Sequence, residues 1–431
     1  MVIITDKPLL RRFSPVGIGM IPDVPNRLVS LDIFRGLTIA GMILVDNLSA
    51  WTDTARFPPL THAEWHGCTW VDLIFPCFIF MVGVTSVFSL DKRVKTGESL
   101  ARLYQHILIR TSLLFFIGLV ACSFFICGWL FQSICPPGET QKSIWAIFLS
   151  PPTDTDTYYF SLANLRIMGV LQRIALVYLA VSLLLVHTRW RVQAMVAGAL
   201  LLLYWALMSL PGFPLEPGKD LGAFIDRAIF GEAHLWRFAR TWDPEGLLST
   251  LPAIATGLFG ALTGHWLRSK RDRRDTLIGL FLFGYLGIVV GSAWGYVFPI
   301  NKYLWTSSFA VYSAGYALMF LAAWYWLTDV ERAKVFWAMP FIWLGMNPLL
   351  AYCGAQIGSL ALGALYIGTP TQHTHIITLI LNTIFGENWD VVGQTSWRDP
   401  RWPSLYWAMI YVTFWTLLMG LLYRRRIFLK I

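Results

Sequence analysis

The sequence predicts an all-α, polytopic membrane protein. Of its 431 residues, 56% are hydrophobic and only 14% are charged, against roughly 25% charged residues in an ordinary soluble domain. Apolar segments close to the roughly 17–25 residues that span a bilayer as a helix recur along the whole chain. No segment has the alternating pattern of a transmembrane β-strand, and a bilayer admits only helices or closed barrels.

We predict about ten transmembrane helices. They are expected at residues 29–49, 69–90, 108–131, 166–186, 192–210, 247–267, 276–297, 305–327, 338–362 and 403–423. Residues 1–28 lack the uninterrupted apolar core of a signal peptide, so they are interpreted as an N-terminal tail. Residues 29–423 are then one membrane domain, and residues 424–431 are a basic C-terminal tail.

The basic residues predict how the chain is oriented. Most of the 34 Lys and Arg residues lie in the two tails and in alternate connections, such as 91–107 and 268–275. Cytoplasmic connections carry such an excess, so both termini are predicted to be cytoplasmic and the segment PLTHAEWHG, at 59–67, to face the opposite side. Anionic lipid headgroups account for the net charge of +9 without a nucleic-acid partner.

Charged side chains inside predicted helices are costly and need a reason. Asp32 and Arg35, three positions apart, are expected to form an ion pair. For Asp72, near the start of the second helix, two interpretations stay open: a favourable place for an acid at a helix N-terminus, or orientation of a histidine.

The segment HAEWH places His62, Glu64 and His66 within five positions. The acid is at the third position of the segment and not the second, and no third ligand is apparent, so we predict no metal. A general base suits His62 better, because an imidazole with a pKa near 6.5 can take a proton from a nucleophile, although a purely structural histidine is the alternative. Asp46 and Asn47, at the outer end of the first helix, could face the same cavity.

A pair of carboxylates in WDPEG, Asp243 and Glu245, precedes the sixth predicted helix. Two interpretations stay open. The pair could bind the ammonium and hydroxyl groups of a substrate, or Asp243 could be the N-cap of the helix with Pro244 at its first position.

Several motifs together resemble the heparan-alpha-glucosaminide N-acetyltransferase family and its bacterial, NagX-like relatives. They occur in the right order over nearly the whole chain: RLVSLDIFRGLTIAGMILVDN, HAEWHGCTWVDLIFPCFIFMVGV, RIMGVLQRIALVY, DPEGLLSTLPAI, FPINKYLWTSSFAVYSAGYA and LGMNPLLAY.

This resemblance implies an enzyme of the bacterial inner membrane that takes acetyl from cytoplasmic acetyl-coenzyme A and delivers it to an amino sugar on the far side. His62 matches the active-site histidine, followed by Trp65 and Gly67, and the asparagine that the family uses falls on Asp46 or Asn47. A homodimer is also implied.

The implied donor must reach from the cytoplasm to His62. We expect its nucleotide phosphates at the basic inner face, with Arg93, Arg110 and Arg268 as candidate ligands. Arg173, inside the fourth predicted helix, is a candidate partner for an anionic group of the coenzyme or for a structural acid.

Other functions remain open at this stage. Polar residues inside helices also fit an amino-sugar transporter, and the same reaction could modify a hydroxyl of a cell-wall or surface polysaccharide. Direct transfer is favoured over an acetyl-histidine intermediate, because a channel that brings the thioester to His62 removes the need for a covalent carrier.

Overall fold

The protein is described by a computed structural model that covers residues 2–3, 28–48, 57–120, 165–236, 238–269, 271–333, 336–364, 366–369, 372–385 and 401–430. Within these ranges the chain is predominantly helical. Its helices are α1 (Val29–Asn47), α2 (Ile74–Lys95), α3 (Leu100–Val120), α4 (Val170–His187), α5 (Trp190–Met208), α6 (Leu221–Phe230), α7 (Thr250–Leu267), α8 (Arg273–Trp294), α9 (Ser307–Tyr325), α10 (Met339–Met346), α11 (Pro348–Ala364), α12 (Ile376–Phe385) and α13 (Arg401–Arg424).

Six described helices are long and apolar enough to cross a membrane. They are Val71–Lys95, which is α2 with its preceding turn, α4, α5, α8, Ser307–Val330, which is α9 with a π-helical turn, and α13. This agrees with the predicted multi-pass class. The end of the third predicted helix, after residue 120, and the connection to the fourth predicted helix lie outside the described residues, which resume at residue 165.

The ninth predicted helix, 338–362, is broken into α10 and α11 at Asn347 and Pro348. Proline cannot donate a backbone hydrogen bond and disfavours helical geometry in the residue before it. The Asn347 side chain stabilises the break, because its Nδ2 donates to the Ile427 carbonyl at 3.0 Å and its Oδ1 accepts from the Leu429 amide at 2.9 Å.

Glycines allow α2 and α7 to cross closely. A Cβ on Gly83 would collide with the Gly257 carbonyl oxygen, and one on Gly260 would collide with the Phe80 carbonyl oxygen. Helices that pack without a strong hydrophobic driving force gain stability from such close backbone contact. This crossing fixes α2, whose N-terminal end carries the candidate site.

The predicted pair of Asp32 and Arg35 is confirmed, with 3.6 Å between Arg35 NH1 and Asp32 Oδ1. The same guanidinium donates to the Gly345 carbonyl at 3.0 Å and so joins α1 to α10. These two contacts explain how the charged side chains of Asp32 and Arg35 are accommodated in α1.

Two short ribbons complete the described fold. Strand β1 (Val2–Ile3) pairs antiparallel with β4 (Leu429–Lys430), which brings the two ends of the chain side by side. Strands β2 (Tyr366–Thr369) and β3 (Gln372–His375) form a hairpin within the predicted outer segment 363–402.

Candidate active site

His62 contacts the carboxylate of Asp72 at the start of α2. Its Nδ1 lies 2.7 Å from Asp72 Oδ1. The other oxygen, Oδ2, accepts from the backbone amides of Thr69 at 2.8 Å and Ala63 at 3.2 Å. An ionised carboxylate only accepts, so Nδ1 carries the proton and the lone pair is on Nε2. The contact is the one expected if Asp72 orients a histidine.

Lys302 approaches the same imidazole from a distant part of the chain. Its Nζ lies 2.9 Å from His62 Nδ1 and 3.2 Å from Nε2, and 3.6 Å from Asp72 Oδ1. The side chains of His62 and Lys302 are 27% and 16% exposed, whereas Asp72 is only 1% exposed. The lysine and the imidazole therefore share a partly accessible position above a buried acid.

Backbone pairing joins the two loops that carry His62 and Lys302. Gly67 and Asn301 form a parallel bridge, in which the Gly67 amide donates to the Ile300 carbonyl at 2.7 Å. Gly67 has φ +109°, a conformation that glycine adopts without strain. The Asn301 side chain holds the next turn by accepting from the Leu304 amide at 2.9 Å.

The surroundings of Lys302 are acidic. Burial lowers the pKa of Lys302, while the carboxylates of Asp72, Glu245 and Asp46 oppose this shift. Asp72 acts on this ammonium from 3.6 Å, and the charges of Glu245 and Asp46 act on it over longer distances.

Asp46 and Asn47 have different environments. Asn47 is 2% exposed, donates from Nδ2 to the Ile43 carbonyl at 2.8 Å and accepts from Ser359 Oγ at 2.9 Å. Asp46 is exposed and accepts from Gln356 Nε2. Asn47 therefore joins α1 to α11, while Asp46 is the one of the two that a ligand can reach.

Asp243 and Glu245 are paired with Arg166. The guanidinium binds both oxygens of Asp243, at 2.8 and 2.6 Å, and also contacts Glu245 Oε2. Burial opposes the charge of Arg166, but the two carboxylates raise its pKa above the ordinary arginine value. The capping interpretation is wrong, because α7 begins at Thr250 with Ser249 as its N-cap.

Arg173 lies in the core beside this acidic pair, in the first turn of α4. Its NH2 donates to the Gly246 carbonyl at 3.1 Å and to Ser249 Oγ, and its guanidinium stacks 5.1 Å from the Trp305 ring centre. Among the described residues, its Nε and NH1 find no hydrogen-bond partner although both are buried.

Arg93 and Arg268 lie far from His62. Arg93 and the partner of Arg268, Asp91, are at the C-terminal end of α2, about 30 Å from Asp72 at 1.5 Å per residue. Arg93 pairs with Glu98 at 3.0 Å and Arg268 pairs with Asp91. Arg110 stacks 4.5 Å from the Tyr178 ring centre.

His106 connects two of these arginines. Its Nδ1 lies 3.4 Å from Arg93 NH2, and it precedes Arg110 by four positions on α3, hence on the same face. Arg93 and the partner of Arg268 therefore lie at the C-terminal end of α2, Arg173 lies in the first turn of α4, and Arg110 lies between these levels beside Tyr178.

Sequence reasoning missed Lys302 and Arg166 as site residues. Lys302 is the only charged residue in the stretch SAWGYVFPINKYLWTSSF, between α8 and α9, and this isolation is the signal that could have identified it.

In the described part of the chain, no group of three or more His, Cys, Asp or Glu side chains is arranged to hold a metal ion.

The fold and the site define a multi-pass helical membrane protein with a histidine–carboxylate pair at one end of its helices. Residues 27–150 match a family described as a domain of unknown function, DUF5009. The chain is 25% identical over 452 residues to the heparan-alpha-glucosaminide N-acetyltransferase of Mus musculus, covering 94% of this chain and 61% of that protein.

The enzyme of the same name from Homo sapiens is 25% identical over 450 residues, covering 95% of this chain and 60% of that protein. The resemblance predicted from the sequence motifs is thereby confirmed. The chain spans about 60% of the length of these curated relatives.

Proposed function

We propose that this protein is a transmembrane acetyltransferase that moves acetyl from acetyl-coenzyme A to the amine of a glucosamine-type sugar. The observation that carries the proposal is the His62–Asp72 pair, in which Nδ1 lies 2.7 Å from the carboxylate and so directs the Nε2 lone pair away from it. The similarity to two N-acetyltransferases along nearly the whole chain supports the reaction class.

His62 acts as the general base in this proposal. An ammonium has no lone pair, so the acceptor amine must lose a proton before it can attack a thioester, and Nε2 can take that proton. Asp72 holds the imidazole in the required tautomer and stabilises the imidazolium that forms. Asp46, or Asn47 through its contact with α11, orients the reacting groups.

The proposed donor enters from the cytoplasm. The basic connections and tails favour an orientation with both termini cytoplasmic and His62 near the periplasmic face of a bacterial inner membrane. The proposed topology has about ten membrane helices in one domain, 29–423, with tails at 1–28 and 424–431. A homodimer is proposed from the resemblance.

The nucleotide phosphates of the coenzyme are proposed to bind Arg93, Arg110 and Arg268. Phosphate would compete there with Glu98 and Asp91 for the guanidinium groups. The pantetheine arm then extends along the helices toward His62, where Arg173 has two unused donors for a carbonyl or anionic group of the coenzyme.

The acceptor sugar is proposed to bind beside Asp243 and Glu245. The side chain of Glu245 is 10% exposed and that of Asp243 is 1% exposed, so Glu245 is the carboxylate that faces the ammonium, while Asp243 holds Arg166. The substitution E245Q should raise the KM for the sugar without changing the KM for acetyl-coenzyme A. If acceptor affinity survives both E245Q and D243N, this binding role is wrong.

Direct transfer in a ternary complex is the proposed mechanism. Incubation of the purified protein with radiolabelled acetyl-coenzyme A alone distinguishes the two routes. Direct transfer leaves the protein unlabelled until the sugar is added, whereas label trapped on His62 establishes an acetyl-histidine intermediate.

A mass-spectrometric product screen tests the function itself. Purified protein in detergent is given acetyl-coenzyme A and a panel containing glucosamine, its oligomers and muropeptide fragments. An N-acetylated sugar supports the proposal, and an O-acetylated polysaccharide fragment favours the variant reaction. A transporter would instead take up labelled sugar into vesicles without any acetylated product.

A further inference from the structure

Lys302 is the charged group that the proposed base mechanism leaves unexplained. A lysine that is mostly buried carries a desolvation penalty, which must be offset by its surroundings. The side chain of Lys302 is only 16% exposed, yet its Nζ is aimed at both nitrogens of the imidazole. Three carboxylates stabilise its charge: Asp72 from α2, Glu245 from the WDPEG segment and Asp46 from α1.

The position of Nζ relative to Nε2 defines what this ammonium can reach. An amine that donates to Nε2 lies about 3 Å from it, and the thioester carbon that it attacks lies next to the amine. Nζ is 3.2 Å from Nε2. The carbonyl oxygen of the thioester can therefore lie within hydrogen-bond distance of the ammonium while the amine contacts the base.

We propose that Lys302 is a further catalytic residue of the acetyl transfer, whose ammonium donates a hydrogen bond to the oxyanion of the tetrahedral intermediate. This inference rests on the proposed function. A preorganised charged donor in a water-poor site stabilises developing negative charge more than water does.

The step balances as follows. His62 Nε2 first takes one proton from the acceptor ammonium and releases it to water. The amine nitrogen then forms a bond to the carbonyl carbon as the C=O π electrons move to oxygen, and Nε2 takes a second proton from nitrogen. The carbonyl then re-forms, the C–S bond breaks, and the imidazolium gives its proton to the thiolate. Coenzyme A leaves as the thiol, His62 returns to its neutral form, and Lys302 keeps its proton throughout.

The role requires a protonated Lys302, so activity should fall when the pH rises far enough to remove that proton. The charged and titratable groups that face Lys302 are His62 and Asp72 of the candidate site, Asp46 of α1 and Glu245 before α7, with Cys68 and Tyr303 beside it and His66 on the neighbouring turn. Burial moves the pKa of Lys302 down from the usual lysine value, which brings the alkaline loss of activity toward a measurable pH.

The variants K302M and K302R test this role, with K219M as the matched control. Lys219 is an exposed lysine in the segment between α5 and α6, paired with Glu216 at 2.7 Å. In the product assay, K302M should lower kcat by about 10²–10³-fold with little change in the KM for acetyl-coenzyme A. K302R should recover part of kcat, and K219M should match the wild type.

The pH profile supplies a second readout that does not depend on K302M being stable. A guanidinium stays charged at high pH, so K302R should move the alkaline loss of kcat to higher pH. An unchanged alkaline limb in K302R, or a K302M variant with kcat within threefold of the wild type, would overturn the inference. A wild-type protein that transfers no acetyl would refute the proposed function instead.

Discussion

Nδ1 of His62 lies 2.7 Å from Oδ1 of Asp72, ten positions along the chain, and the second oxygen of Asp72 is held by two backbone amides. The Asp72 carboxylate is thus held in place by backbone amides of the loop that carries His62. A histidine whose Nδ1 is bound in this way presents Nε2 in a defined direction, which is the requirement for repeated proton transfer to and from a substrate.

The substitution H62A is expected to abolish acetyl transfer, by about 10²–10⁴-fold or more, because the amine loses its proton acceptor. H66A is the matched control, because His66 is exposed and its Nδ1 contacts the side-chain amide of Asn301 at 3.4 Å. The H66A variant should keep substantial activity. Product formation is measured at saturating substrates, and a thermal shift with acetyl-coenzyme A checks that both variants still bind the donor. Full activity of H62A would refute the assignment of the base.

The substitution D72N is expected to lower kcat by about 10²–10⁴-fold with little effect on either KM. An asparagine amide can donate to Nδ1, which moves the imidazole proton to Nε2 and removes the base. The control is D275N, in the exposed first turn of α8. If D72N is as active as D275N, the acid supports only the loop and not the tautomer of His62.

The substitutions R93Q, R110Q and R268Q should each raise the KM for acetyl-coenzyme A and leave the KM for the sugar unchanged. Each variant loses one charge-assisted hydrogen bond to a phosphate of the coenzyme. R191Q is the control, since Arg191 is exposed at the start of α5 and stacks on Trp190. An unchanged KM for acetyl-coenzyme A in all three variants would show that these arginines do not bind the coenzyme.

The buried Asp226 predicts a pH-dependent stability. It is 2% exposed on α6, and burial raises its pKa from 3.8 to about 7. Because the pKa rises on folding, the protonated form favours the folded state, and this contribution is complete below about pH 4 and is lost as the pH rises through 7. The loss is at most about 4 kcal/mol at 1.36 kcal/mol per pKa unit.

The substitution D226N keeps the oxygen that accepts from the Leu247 amide at 2.9 Å but cannot ionise. Its thermal midpoint should match the wild type only below about pH 4, and should exceed it by a margin that grows as the pH rises to 8.5. The control E216Q, at an exposed acid of the same outer segment, should follow the wild-type curve. Parallel curves for D226N and the wild type would contradict the raised pKa.

The close crossing of α2 and α7 predicts that alanine destabilises the protein at Gly83 but not at Gly198. G83A places a methyl group against the Gly257 carbonyl and should destabilise the protein by about 1–3 kcal/mol. G198A, where no atom lies within 4 Å of the added carbon, should have no such effect. Thermal unfolding in detergent compares the two, and equal midpoints would argue against close contact at this crossing.

Much of the architecture follows from the sequence, because hydrophobic segment length and the need to satisfy the backbone in lipid leave few alternatives. The first helix was predicted at 29–49 and is observed at Val29–Asn47, and the sixth was predicted at 247–267 and is observed at Thr250–Leu267. The break at Asn347 was missed, since the flanking apolar residues suggest one continuous helix.

The sequence by itself determined the helical class and the local ion pair of Asp32 with Arg35, because these depend on composition or on residues close together in the chain. It led to His62 only through the resemblance of its motifs to a known family. Only the tertiary structure decided that Lys302, 240 positions away, contacts His62 and that Arg166 holds Asp243 and Glu245. It also decided that Arg173 contacts the WDPEG segment, whereas Arg93 pairs with Glu98 and Arg268 with Asp91. Such contacts depend on how the helices pack and how the loops between them are tied together, as at the bridge between Gly67 and Asn301, and neither periodicity nor spacing encodes that.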